Sequence, residues 1–198
     1  LAGCEGEPAD DPGNDEPLPD QTVVEISGTV VLPAGVSAAS VVNALGEVPV
    51  SDGAFTAQTF QAGRQLTLVV SASGEPLLMG WLGPEHTALS ARTTAEVLAF
   101  YGSAAFAVPA AQAGAVMTLL GEASELDAVA DALTDALTAN PDGLSSDLAV
   151  VATALEAALV AMTTHPDTGL MMPMALLVDP SETKSGVQLD TVSGLNEV

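Results

Sequence analysis

Basic side chains are almost missing from this sequence. Its 198 residues carry three basic residues against 26 acidic ones, a formal net charge of −23. The three are Arg64, Arg92 and Lys184. Binding to nucleic acid and electrostatic docking onto anionic lipid head groups both depend on basic side chains, so neither is expected. The excess of acid also has a plain interpretation, because it keeps a protein soluble in salty surroundings.

Cysteine is limited to one residue, Cys4, so no intramolecular disulfide holds the fold. Catalytic signatures are also missing: the sequence has no nucleophile elbow, Walker loop, dinucleotide fingerprint or zinc-protease helix motif. We therefore predict a protein that is not an enzyme and that uses no cofactor and no metal. A secreted hydrolase is kept as a lower-ranked alternative.

Histidine is scarce as well, with His86 and His165 far apart in the chain. Glu85 and His86 would supply zinc ligands together with His165 and Asp167 if the fold joined them. Solvated loop histidines are the simpler interpretation, and we favour it.

The chain opens Leu1-Ala2-Gly3-Cys4, which places its one cysteine after two small residues. This tetrapeptide resembles the lipobox of bacterial lipoproteins. The resemblance implies that residues 1–3 end a signal peptide and that the Cys4 thiol carries a diacylglycerol. It also implies that the new amino terminus is acylated. Two or more acyl chains hold a protein stably in a bilayer.

Residues 5–21 are rich in acid, proline and glycine and contain almost no bulky apolar side chain. Such a segment cannot bury enough surface to fold, so residues 4–21 are predicted to form a lipid-anchored acidic tether. A calcium site is the weaker interpretation, since the spacing of an EF-hand loop is absent. It would use Asp10, Asp11, Asn14, Asp15 and Glu16.

Residues 22–83 show the two-residue alternation of half-buried strands, as in Val24, Ile26 and Val30. The turn signal Ser51-Asp52-Gly53 separates two such stretches. About six short strands with turns between them predict a small antiparallel β-sandwich. The runs SGTVVLPAG and GEVPVSDGAF resemble carboxypeptidase regulatory-like or transthyretin-like modules of secreted proteins, which implies a structural spacer or an adhesive unit.

Residues 84–166 change to a helical period. Thr93-x-x-Glu96 is read as a capping box that starts a helix ending near Tyr101. Ser124-x-x-Asp127 is read as a second cap, followed by an apolar stripe from Leu126 to Leu137. A break at residues 140–143 and a further helix predict an αα-hairpin. The predicted fold class is therefore α+β.

The uncharged stretch 97–121 is long enough to span a bilayer, but Gly102 and Pro109 interrupt it, so a buried helix and a loop are favoured. Residues 167–198 are predicted to be extended, with strands at 174–178 and 187–192 that open a further β unit. We expect the natural chain to continue beyond Val198.

These patterns predict a non-catalytic protein with a structural or interaction role. It would be anchored in the bacterial envelope through lipid on Cys4, at the outer membrane or cell surface, with an envelope protein as partner. The alternative is a module that binds a peptide, glycan or small ligand in a groove between sheet and helices. Trp81, Phe100 and Tyr101 are the predicted walls of that groove, although an aromatic content of 3% argues against sugars.

Overall fold

A computed structural model describes residues 22–108, 110–144 and 148–164, with two further strands at 175–176 and 189–190. Cys4 and the tether lie outside the described residues, as do His165 and Asp167. Strands come first and helices follow, so the α+β class is confirmed.

Seven strands form two packed sheets. Their bounds are β1 Val23–Val30, β2 Ser40–Asn43, β3 Gly46–Pro49, β4 Ala54–Phe60, β5 Gln65–Val70, β6 Pro76–Leu82 and β7 Ala88–Leu89. The strand orders are β4-β1-β7 and β3-β2-β5-β6. Every pair is antiparallel except β1 with β7, which run parallel at Thr29 and Val30. The predicted sandwich is confirmed, with β7 added after the strand that the sequence indicates as the last.

Buried and exposed residues alternate along β1 and β4, and the buried side chains form part of the core between the two sheets. Val30 of β1 and Phe55 and Ala57 of β4 are buried, while the residues between them face solvent. The turn before β4 needs left-handed backbone, and Asp52 and Gly53 adopt φ angles of 51° and 74° there. An aspartate followed by glycine accepts these angles at little cost, so the predicted turn is confirmed.

Four helices follow the strands: α1 Ala91–Gly102, α2 Ala110–Glu122, α3 Asp127–Ala139 and α4 Ala149–Thr164. Short 3₁₀ turns at Ala105–Ala107 and Ser124–Leu126 connect the first three. The buried residues Leu126, Val129, Leu133 and Leu137 confirm the predicted stripe, and α3 packs against α4 as an αα-hairpin. Among the described helices, none has the length and apolar character needed to cross a membrane.

The predicted start of α1 is wrong by three residues. Ser90 is the N-cap: its hydroxyl accepts a hydrogen bond from the Thr93 backbone, and the Thr93 side chain closes the capping box at the Ser90 backbone. Glu96, expected to complete that box, instead pairs with Arg92. Ser124 is not an N-cap either, because no side chain caps the turn that it begins.

Helix α1 protects the open edge of the second sheet. Strand β6 ends the order β3-β2-β5-β6, so its outward backbone groups have no strand partner there. The Thr94 hydroxyl accepts a hydrogen bond from the Met79 N–H at 2.9 Å, and both Thr93 and Thr94 are within bonding distance of the Met79 carbonyl. This close approach requires Gly80, where a Cβ would lie 2.9 Å from the Thr93 hydroxyl of α1 and 2.6 Å from the Leu89 side chain of β7.

Arg92 ties three helices together. Its Nη2 donates to the carbonyls of Leu120, Gly121 and Ala123 at 2.7–3.1 Å, and Nη1 lies 2.6 Å from Asp127 at the start of α3. The guanidinium thus caps the carboxyl end of α2 while it belongs to α1. It is three-quarters buried, since its side chain is 26% exposed.

The apolar cores of sandwich and helices are continuous. Leu137 of α3 is fully buried in the sandwich core. The Leu144 N–H, after α3, donates to the Pro76 carbonyl at 2.9 Å. The helices therefore close one side of the sandwich.

Within the predicted extended segment, Ala175–Leu176 pairs antiparallel with Leu189–Asp190. The two predicted strands are confirmed to that extent.

Candidate functional site

Four of the six aromatic residues gather at one place, where β6 meets the end of α1. We call Trp81, Phe100, Tyr101 and Phe106 the aromatic cluster. Its ring centroids lie 5.4–6.1 Å apart, within the range of attractive aromatic contacts. The sequence predicted Trp81, Phe100 and Tyr101 as the walls of a groove, and the structure brings these three rings together. Of the three, Trp81 alone lines the cleft described below.

The aromatic cluster reaches from the core to the surface. Phe100 is buried, whereas Tyr101 is 45% exposed and Phe106 is 61% exposed. Leu66 lies opposite Trp81 in the β5–β6 register and is also exposed, so it extends the apolar surface across the sheet. Side chains of this size lose favourable apolar burial when they stay in water.

A cleft of about 430 Å³ opens beside the aromatic cluster, between the sheet and helices α1 and α2. Its lining consists of Arg64, Trp81, Glu85, His86, Thr87, Ala88, Thr93, Glu96, Met117, Thr118, Gly121 and Glu122. Trp81 belongs to both features, so the cleft and the aromatic cluster share one wall. The volume lies within the range of small-molecule sites, about 300–1,000 Å³.

His86 is held at the cleft by a tight turn. The backbones of Gly83 and His86 exchange two hydrogen bonds of 3.0 Å, which fixes the intervening Pro84 and Glu85. His86 lies in a turn, as predicted for a loop histidine, and it is only partly exposed there. Burial lowers the pKa of His86 below its ordinary value, and the charge of Arg64 adds to that effect, while Glu85 and Glu96 oppose it.

The two arginines of the described chain have different surroundings. Arg92 contacts two carboxylates and three carbonyls. Arg64 follows β4 in the loop before β5, is half-buried, and forms no ion pair with a described carboxylate. It also lines a smaller cavity of about 250 Å³ on the other side of the Gly83–His86 turn.

No group of three or more metal-ligating side chains occurs among the residues whose placement the structure gives. The zinc alternative needs His165 and Asp167, which lie outside that part, and so do the acidic tether residues of the calcium alternative. Both alternatives remain untested.

Comparisons with protein-family models, with curated proteins and with solved structures returned no match to this chain. The lipobox and transthyretin-like resemblances therefore stay predictions.

Several residues at the site escaped the sequence reasoning. Phe106 lies in an uncharged stretch whose pattern favours burial, and only its 3₁₀ turn brings it to the surface. Glu96 and Glu122 come from separate helices, and no spacing in the sequence joins them. Arg64 had a usable signal, because an isolated base next to a glycine turn is conspicuous in so acidic a chain.

Proposed function

We propose that this chain is a non-catalytic interaction protein of the bacterial envelope that binds a protein partner through the aromatic cluster. The observation that carries this proposal is the exposure of Tyr101 and Phe106 in a chain with six aromatic residues. A third of its aromatic side chains are thus presented to solvent at one place, beside Leu66. Exposed aromatics joined in one patch are characteristic of binding surfaces.

Charge suggests the character of the partner. With a net charge of −23, the chain repels acidic proteins and attracts basic ones, especially at low ionic strength. The proposed partner therefore has an apolar patch with a basic rim. Tyr101 and Phe106 would fill apolar pockets on it, and the acidic surroundings would orient the encounter.

The test is a photo-crosslinking amino acid at Phe106, with the protein expressed in a bacterium together with its signal peptide. A specific crosslinked protein is expected, and a Tyr101→Ser variant should reduce the yield. The matched control is Val31→Ser, since Val31 is 60% exposed on the sandwich and lies outside the aromatic cluster. Crosslinking that is absent, or that Val31→Ser reduces as much as Tyr101→Ser does, would contradict the proposal.

The anchor is a separate part of the proposal. It is supported by the lipobox resemblance of Leu1-Ala2-Gly3-Cys4 and by the acidic tether after it. Wild type should enter the detergent phase with acyl mass on Cys4, and a Cys4→Ala variant should stay in the aqueous phase. If both stay aqueous with residues 1–3 still attached, the anchor and the envelope localisation are wrong.

The cleft favours a second candidate function, a small-ligand binding module. Its volume of about 430 Å³ lies in the range of ligand sites, and its lining joins a tryptophan wall to polar groups that would orient an occupant. Fluorescence of Trp81, the single tryptophan, would report an occupant directly. A fluorescence response to a small molecule, abolished by substitution of a cleft residue, would support this candidate.

A further inference from the structure

The lining of the cleft carries charges of both signs on different elements. Arg64 comes from the loop between β4 and β5, and His86 from the turn before β7. Glu96 comes from α1, and Glu122 ends α2. The strand side thus supplies the positive group, while the helix side supplies two of the carboxylates.

Arg64 is the cationic side chain of the cleft lining, and it has no ion-pair partner among the described residues. It is half-buried without an ion pair to a described carboxylate, although the chain has 26 acidic residues. A guanidinium presents a planar pair of donors that matches a carboxylate in two parallel hydrogen bonds. Its position at the cleft therefore favours a carboxylate group on the occupant.

The cleft also contains groups that would bind a positive charge on the occupant. The Trp81 indole lines the cleft, and an indole face attracts a cation more strongly than other aromatic rings do. Glu122 is exposed at the same cleft and forms no ion pair within the described part of the chain. Glu96 is already engaged by Arg92, at 3.2 Å, and Glu85 lies on the strand side, where it lines the smaller cavity together with Arg64. Glu122 is therefore the helix-side carboxylate left for an ammonium group.

We propose that the cleft binds a zwitterionic small molecule, with its carboxylate on Arg64 and its ammonium group against Trp81 and Glu122. This inference rests on the second candidate function. A simple anion is disfavoured by three glutamates in the lining and by the net charge of the chain. A simple cation would leave Arg64 unpaired beside it. A zwitterion satisfies both sides at once.

The experiment is a Trp81 fluorescence titration of the full chain with three probes. Glycine betaine carries both charges, choline carries only the quaternary ammonium group, and acetate carries only the carboxylate. We expect betaine to bind at least about ten-fold more tightly than choline, because a hydrogen bond to a charged group is worth a factor of this size. Acetate should give no response. Betaine binding should change little between low and high salt, whereas choline binding should weaken.

Variants separate the two halves of the site. Arg64→Gln should weaken betaine about ten-fold or more and leave choline unchanged, while Arg64→Lys should weaken betaine less. Glu122→Gln should weaken both probes. The matched control is Glu75→Gln, an exposed acid in the turn before β6 and outside the cleft lining. Circular dichroism checks that each variant is folded.

Equal binding of choline and betaine, with no effect of Arg64→Gln, would overturn the zwitterion and leave a cation site. No response to any of the three probes would overturn the zwitterion, whereas the second candidate function would fall only if other small molecules also left the Trp81 fluorescence unchanged. Neither outcome bears on the aromatic cluster, whose crosslinking test is independent.

Discussion

Loss of the Arg92 side chain should destabilise the helical part of the protein. The guanidinium donates to three carbonyls at the carboxyl end of α2 and pairs with Asp127 and Glu96. Asp127 is 72% exposed, so that ion pair is worth only about 0–1 kcal/mol. A hydrogen bond to a charged group is worth about 1.5–3 kcal/mol, and Nη2 has only two N–H groups for its three carbonyls.

Arg92→Met keeps an unbranched apolar stem and removes every one of these bonds. Counting one to two carbonyl bonds at the low end of that range, we expect a loss of about 1.5–3 kcal/mol in the free energy of unfolding. Arg92→Lys should lose less, because an ammonium group keeps the charge near the helix end but not the planar fork. Asp127→Asn should lose at most about 1 kcal/mol.

The assay is urea unfolding followed by circular dichroism, at low salt and at 1 M salt. High salt should remove the small effect of Asp127→Asn and leave most of the effect of Arg92→Met, since the carbonyl bonds are partly buried. If Arg92→Met costs no more than Asp127→Asn, or if salt abolishes both effects, the carbonyl bonds do not carry the stability argued here.

Three further changes test other parts of the fold by the same unfolding assay. Gln65→Met should stabilise by about 1–3 kcal/mol, because the buried Gln65 amide has no hydrogen-bond partner in the described chain; destabilisation would mean that the amide is satisfied. Gly80→Ala should lower the free energy of unfolding by about 1–3 kcal/mol, because its Cβ would lie 2.6 Å from the Leu89 side chain. The control is Gly114→Ala, at a helical position with open space, which should stabilise the protein by up to about 1 kcal/mol. Similar effects at both positions would refute the steric argument. Because the pKa of His86 is lowered in the folded state, the unfolded chain binds a proton at a higher pH than the folded chain does. The free energy of unfolding should therefore fall as the pH drops below 6.5, and His86→Asn should lessen that fall. Equal pH profiles of the two proteins would contradict this.

The fold was predictable where local periodicity and burial agree. Val30 and Phe55 point inward because strands alternate, and Leu133 and Leu137 are buried because helices repeat every three to four residues. The cap of α1 was misplaced because Thr93-x-x-Glu96 and Ser90-x-x-Thr93 are both acceptable starts on sequence alone. Tertiary contact of Thr93 and Thr94 with Met79 fixes the helix start in the structure.

The candidate site was only half predictable. Trp81, Phe100 and Tyr101 stood out because aromatics are rare in this chain. Arg64, His86 and Glu122 come from three distant parts of the chain, and only the packing of α1 and α2 against the sheet brings them to one cleft. The partial burial of His86 likewise follows from that packing and not from its neighbours in sequence.

The threonine hydroxyls that cover β6 have a consequence for how the chain folds. A chain that emerges from its amino end completes β6 about a dozen residues before Thr94 appears. At a synthesis rate of about 5–20 residues per second, the strand then stays uncovered for about 0.6–2.4 seconds. During that interval the bare Met79 backbone is a template for pairing with another copy. A fragment that ends before α1 is therefore expected to self-associate through the exposed edge of β6. In the whole chain, α1 covers that edge and so prevents this aggregation.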